Sequence, residues 1–123
     1  MRVSDDPGSP LLGRSARIRQ LWADATEQQG LWGWGDAHGL VPWTDSHGHL
    51  VAVLWTDAAQ AEAESANDGE PGEGPIFLDS TVLLRRIPSW RSAGLNEVGL
   101  QSERGRFLLT ISLDEFEKRI RAL

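Results

Sequence analysis

The chain has no cysteine and no tyrosine. The missing thiols exclude disulfides, thiolate metal sites and cysteine nucleophiles. No apolar run approaches the roughly 18 residues that a membrane-spanning helix needs. The opening MRVSDDPGSPLLGRSAR places acids, proline and glycine where a secretory signal would need an unbroken apolar segment. Positive charge is also in short supply. The formal net charge is −6, whereas binding phosphate chains or anionic membranes needs a concentrated basic surface. Arg14, Arg17 and Arg19 cluster, as do Arg85, Arg86 and Arg91, but on amphipathic helices such groups form the solvated face. These absences predict a cytoplasmic protein with neither a nucleic-acid nor a membrane partner. Hydrophobic residues make up 40% and charged residues 24%, the composition of a folded chain rather than a disordered one. A length of 123 residues suits one domain around one core.

The residues that are present concentrate between Leu31 and Thr56. This stretch holds four of the six tryptophans and all three histidines. It also repeats a pattern, Asp36-Ala37-His38-Gly39 and then Asp45-Ser46-His47-Gly48. An Asp at the first position of a turn can accept from its own backbone, and Gly at the fourth tolerates positive φ. Each segment therefore predicts a tight reversal, and three strands near 31–35, 40–44 and 49–55 predict a β-meander.

Around the meander the pattern is mainly helical. Residues 1–9 read as a flexible tail, and 10–123 as a single domain. Ser9 as cap, Pro10 in the first turn and Gly30 as stop predict a helix over 10–29, with Ile18, Leu21, Trp22 and Ala25 on one stripe. Asp57 and Gln60 have capping-box spacing and predict a helix over 57–67 with an alanine face of Ala59, Ala63 and Ala66. Residues 67–75, NDGEPGEGP, predict a mobile loop. Ile76–Leu78 reads as a short strand and Ser80 as the cap of a short helix that Ile87-Pro88 ends, since the residue before proline is pushed out of the α region. Leu95–Gln101 and Arg106–Ile111 predict a second hairpin, with Phe107, Leu109 and Ile111 on one buried face. Ser112-Leu113-Asp114-Glu115 opens a terminal helix bearing Leu113, Phe116, Ile120 and Leu123. The expectation is a single α+β domain: an antiparallel sheet, made of the meander and the C-terminal hairpin, packed with about four helices in the order α-βββ-α-β-α-ββ-α.

These features resemble the bacterial family called "domain of unknown function 2750". The similarity lies in the Leu31-Trp32 strand, the strand ending in Leu54-Trp55, and the junction of that Trp with the alanine-rich Thr56-Asp57-Ala58-Ala59-Gln60-Ala61. Ile87-Pro88 matches the Leu-Pro-like pair that ends the family's short helix, and a hairpin and terminal helix follow. The segment Asp79-Ser80-Thr81-Val82 departs from the Ser-Leu-x-x-Phe that the family tends to show. The resemblance spans about residues 17–123 and implies mixed helices on one sheet, with no activity attached.

No nucleophile sits in a recognisable setting, and no metalloprotease, P-loop or dinucleotide-binding motif is present. No catalytic residue, cofactor or metal ligand is therefore assigned, although the fold could still assemble an acid/base pair from Asp36, His38 or Glu97. His47, His49 and Asp45 gather at one turn, but His38 belongs to the turn at the other end of the strands, roughly 15 Å away at about 3.3 Å per residue. The binding candidates are aromatic: Trp32, Trp34 and Trp43, with His38 beside them. Trp22 and Trp55 read as core. Trp32 and Trp34 share a face by strand alternation, and the register of the 36–39 turn decides whether Trp43 joins them and whether the set is core or surface. The favoured function is a small non-catalytic module, a regulator or an immunity-like protein, that docks a protein partner on this aromatic sheet face. The alternative is an enzyme or small-ligand binder with a Trp-lined cleft, recognisable by a deep pocket where Trp32 or Trp34 converges with His38 and a carboxylate.

The split between the two histidine turns predicts that zinc does not stabilise the protein. Thermal melts with excess zinc and with a chelator are expected to share one midpoint. A rise of several degrees with zinc would refute this, because a ligand that binds only the native state must stabilise it.

Overall fold

Both Asp-x-His-Gly segments fold as reversals for the reason their sequence gives. Asp36 Oδ1 accepts the His38 N–H at 2.8 Å, and Asp45 Oδ1 accepts the His47 N–H at 2.8 Å. Gly39 and Gly48 have φ of 139° and 83°, a region open to glycine without a Cβ clash. The computed structural model describes residues 10–123; the expected tail and the Ser9 cap lie outside the described residues.

The reversals do not join three whole strands. β1 (Gly30–Asp36) turns into β2 (Gly39–Leu40), while β3 (Trp43–Thr44) turns into β4 (Leu50–Leu54). The expected middle strand is thus broken at Val41-Pro42, and proline lacks the N–H that a continuous ladder would need. β2 pairs with β1, and β3 with β4. β1 and β4 themselves meet at Trp32 and Trp55, whose backbones exchange hydrogen bonds of 2.7 and 2.8 Å. The 39–44 segment wedges the two strands apart beyond that point.

The result is an α+β domain with two sheets, in the orders β2-β1-β5 and β3-β4-β6-β7. β5 (Gly74–Asp79) runs antiparallel to β1. β6 (Glu97–Leu100) pairs with β7 (Leu109–Ser112) as the expected hairpin, but β6 lies parallel to β4. The sheet is therefore mixed rather than antiparallel throughout. A parallel neighbour requires a long crossover, here supplied by everything between residues 55 and 96.

The helices are α1 (Pro10–Gln28), α2 (Ala58–Ser65), α3 (Ser80–Ser92) and α4 (Leu113–Arg121), with one 3-10 turn at Ala66–Asp68. Helix α1 ends at Gln28, and Gln29 after it takes a left-handed φ of 56°; Gly30, the stop expected on sequence, instead begins β1. Asp57 caps α2 by accepting the Gln60 N–H at 2.7 Å. Ala59, Ala63 and Ala66 are exposed, however, and the buried positions are Ala61 and Ser65. Helix α3 is capped by Asp79 rather than Ser80, through the Val82 N–H at 2.9 Å. It continues through Pro88 to Ser92, because burial of Ile87 and the half-buried Trp90 outweighs the bond that proline removes. Ser112 caps α4 by accepting the Glu115 N–H at 3.0 Å.

Helices α1, α3 and α4 bury Leu21, Ala25, Leu83, Ile87, Phe116 and Ile120 against one sheet face, where Leu31, Ala52, Leu54, Val98 and Leu100 meet them. The other face is covered too. There Trp34, Val51, Val53 and Trp55 pack with Ala61 of α2, joined by the half-buried Val41, Trp43 and Phe107. β4 alternates between two cores, which is why its sequence is an unbroken apolar run. Phe107 does not share a face with Leu109 and Ile111, which pack on the first core. The cause is a bulge: Leu109 pairs with Leu100, yet the Leu108 N–H also donates to the Leu100 carbonyl at 3.0 Å, and one extra residue inverts the side-chain alternation.

Trp55 is fully buried, and its Nε1 donates to the Ser102 carbonyl at 3.0 Å. Trp55→Ala is expected to cost about 3–5 kcal/mol, a large part of the roughly 5–15 kcal/mol typical of a domain. Chemical denaturation measures it; a loss under about 1 kcal/mol would contradict an anchoring role.

Candidate functional site

The second core does not close completely. Between β3, the end of α2 and the tip of the β6–β7 hairpin lies a cleft of about 600 Å³. Trp34, Val41, Pro42 and Trp43 supply its apolar wall, and Glu64, Asp68, Glu73 and Arg104 its charges. Each wall has a local cause.

Trp34 is 7% exposed. Its indole Nε1 donates to Glu73 Oε1 at 3.1 Å, and the same oxygen accepts the Glu70 N–H at 2.9 Å. Glu70-Pro71-Gly72-Glu73 forms a turn, closed by the Glu73 N–H to Glu70 carbonyl bond of 3.1 Å, with Gly72 at φ 92°. Proline second and glycine third are what a type II turn requires. The acidic segment expected to be mobile is thus tied to the core at Glu73. Gly69 lies over the same indole, where a Cβ would come within 2.7 Å of Trp34 Cζ2.

Trp43 is half-buried, edge-on to Trp55 with ring centroids 6.0 Å apart, and 5.8 Å from Phe107. Such tilted arrangements suit the ring quadrupole and hold an indole in place.

Glu64 fixes the third wall. Arg104 and Gly105 have φ of 55° and 79°, the pair of positive angles that makes a type I′ hairpin turn. Their N–H groups converge on the Glu64 carboxylate at 2.8 and 3.0 Å, and the Ser102 hydroxyl donates to it at 2.5 Å. Burial pushes this carboxyl up, but the Ser102 hydroxyl and the Gly105 and Arg104 N–H groups outweigh it and hold it below its ordinary value. Beside it, Ser65 is almost fully buried, and its hydroxyl finds no hydrogen-bond partner among the described residues.

Of the four residues singled out on sequence, the structure brings two to the cleft. Trp34 and Trp43 both line it, so the 36–39 register does place Trp43 on the face of Trp34. Trp32 is elsewhere, half-buried against Phe77 of β5 with centroids 5.3 Å apart. His38 is exposed in its turn and lines no part of the cleft. Asp36 and Glu97 also lie outside it. His47 and His49 have ring centroids 6.2 Å apart at the other turn, where Asp45 Oδ1 is taken by the N–H groups of both residues. Glu64, Ser65, Asp68, Glu73 and Arg104 escaped sequence reasoning. Glu64 meets its partners across about forty residues of chain, and no local pattern encodes such a contact. The Glu-Pro-Gly-Glu turn was the one signal that could have placed Glu73.

Compared with known protein families and with curated protein sequences, the chain matches none. Among the described residues, no helix is long and apolar enough to cross a membrane.

Glu64→Gln is expected to cost about 1–3 kcal/mol at neutral pH, the range for a charge-assisted hydrogen-bond set. A folded carboxyl held below its ordinary value adds stability above that value and loses it as pH falls through the lowered one. The stability gap between parent and variant should therefore close on acidification below about pH 4. Denaturation curves across that range test it; a gap that persists or widens in acid would contradict the assignment.

Proposed function

We propose that this protein is a small non-catalytic binding module whose recognition site is the cleft of Trp34 and Trp43. The observation that carries this is the cleft itself: about 600 Å³ is within the range of ligand sites, roughly 300–1,000 Å³, and two indoles there stand beside carboxylates. A flat aromatic docking face has less support. Phe77, 39% exposed, is the large hydrophobic residue most open to solvent among the described residues, and Trp32 is half-buried against it. A binding role rather than a catalytic one is supported by the state of the carboxylates. Glu64 accepts three hydrogen bonds and Glu73 two, so both are committed to shaping the walls instead of standing ready to move a proton.

The test is a fragment screen read on the indole N–H signals of the labelled protein. Bound fragments are expected to shift Trp34 and Trp43 and to leave Trp22 and Trp90 unmoved. Ala63 is exposed and lines the cleft, so Ala63→Trp should fill it without touching either core and remove those shifts. Fragments that shift only indoles outside the cleft, or that bind equally well to Ala63→Trp, would refute this site.

A further inference from the structure

The cleft's chemistry is not neutral. Three carboxylates line it, Glu64, Asp68 and Glu73, against the single cation Arg104. Asp68 makes no ion pair among the described residues, and neither does Arg104. The whole chain is acidic as well, with a net charge of −6, so its long-range field draws cations and repels anions. The N–H groups of Arg104 and Gly105 form the kind of concave donor pair that takes an anion, but Glu64 already occupies it. An anionic ligand would have to displace a carboxylate of the protein itself. A cation meets the opposite situation. The half-buried Trp43 indole lines the cleft, an indole attracts ammonium and guanidinium groups through its π-system, and Asp68 adds an unpaired charge to the same lining.

We propose that the cleft receives an arginine or lysine side chain presented by a basic segment of a partner protein, an assignment that rests on the cleft being the binding site. Size favours a peptide over a free organic cation. A volume of about 600 Å³ far exceeds what one ammonium group fills, and the remaining lining, with Thr44, Asn67 and Pro42, suits the backbone and neighbours of an extended segment. Charge complementarity of this kind sets partner choice and association rate more than raw affinity. Binding is expected to be modest and sensitive to salt. Arg104 is the built-in competitor: it brings the wrong sign to the site. Its φ of 55° suits glycine better, and its N–H to Glu64 survives that change, so Arg104→Gly removes the charge while keeping the turn.

The experiment titrates capped Gly-Arg-Gly, Gly-Lys-Gly and Gly-Glu-Gly peptides, together with free tetramethylammonium, against the indole signals of the full chain. The Arg and Lys peptides should shift Trp43 and weaken as salt is raised, and the Glu peptide should not bind. Asp68→Asn should weaken the Arg peptide roughly twofold to fivefold, the scale of one exposed charge, and Arg104→Gly should strengthen it by a similar factor. Circular dichroism melts of both variants confirm that the fold is retained. Equal binding of the Glu peptide would overturn the assignment of a cation. Tetramethylammonium binding as tightly as the Arg peptide would replace the protein partner with a small organic cation. Neutral fragments that bind the cleft while no cationic peptide does would overturn this proposal alone and leave the cleft as the site. Failure of every probe and every fragment would remove both.

Discussion

One pair of backbone contacts holds the two sheets together. Trp32 and Trp55 exchange both of their peptide hydrogen bonds, and beyond this point β1 and β4 separate around the 39–44 wedge. The bridge fixes where β1, with β5 on its far edge, meets β4, with β6 and β7 on its own. Buried peptide groups must be paired, so shifting this contact by one residue would orphan donors and exchange the faces of both strands. The Trp55 indole reinforces the position by donating to Ser102, which links the bridge to the turn that Glu64 holds.

The bridge also explains why the domain has two cores instead of one. β4 carries Ala52 and Leu54 toward α1, α3 and α4, and Val51, Val53 and Trp55 toward α2. The second core is thin because α2 offers only small side chains to it, with Ala61 and Ser65 as its buried residues. A helix that buries little area cannot seal the face alone. The indoles of Trp34 and Trp43 and the tip of the C-terminal hairpin make up part of the missing volume, and the cleft is what remains unfilled.

Charge-assisted hydrogen bonds fasten two of the cleft's walls. Turns with consecutive positive φ at Arg104 and Gly105 are costly for a non-glycine residue, and here the Glu64 carboxylate compensates by satisfying both N–H groups. Glu73 does the same for the Trp34 indole and its own turn. Two of the three acids thus serve as fasteners, while Asp68 makes no ion pair among the described residues.

The sequence determined what depends on residues close along the chain. Both Asp-x-His-Gly reversals, the Asp57 and Ser112 caps, the apolar stripes of α1 and α4 and the existence of the C-terminal hairpin follow from local turn chemistry and periodicity. It also named Trp34 and Trp43, because an excess of indoles in one stretch is visible without coordinates. Long-range pairing belonged to tertiary structure alone. The parallel match of β4 with β6, the placement of α2 on the opposite face, the continuation of α3 through Pro88 and the bulge that turns Phe107 away from Leu109 each depend on which surfaces must be buried together. The same holds for the site. Trp32 and Trp34 are equivalent by alternation, yet one packs on Phe77 and the other lines a cleft, and Glu64 finds its donors about forty residues away. Periodicity specifies which side of a strand a residue faces; only the packed chain decides what stands opposite it.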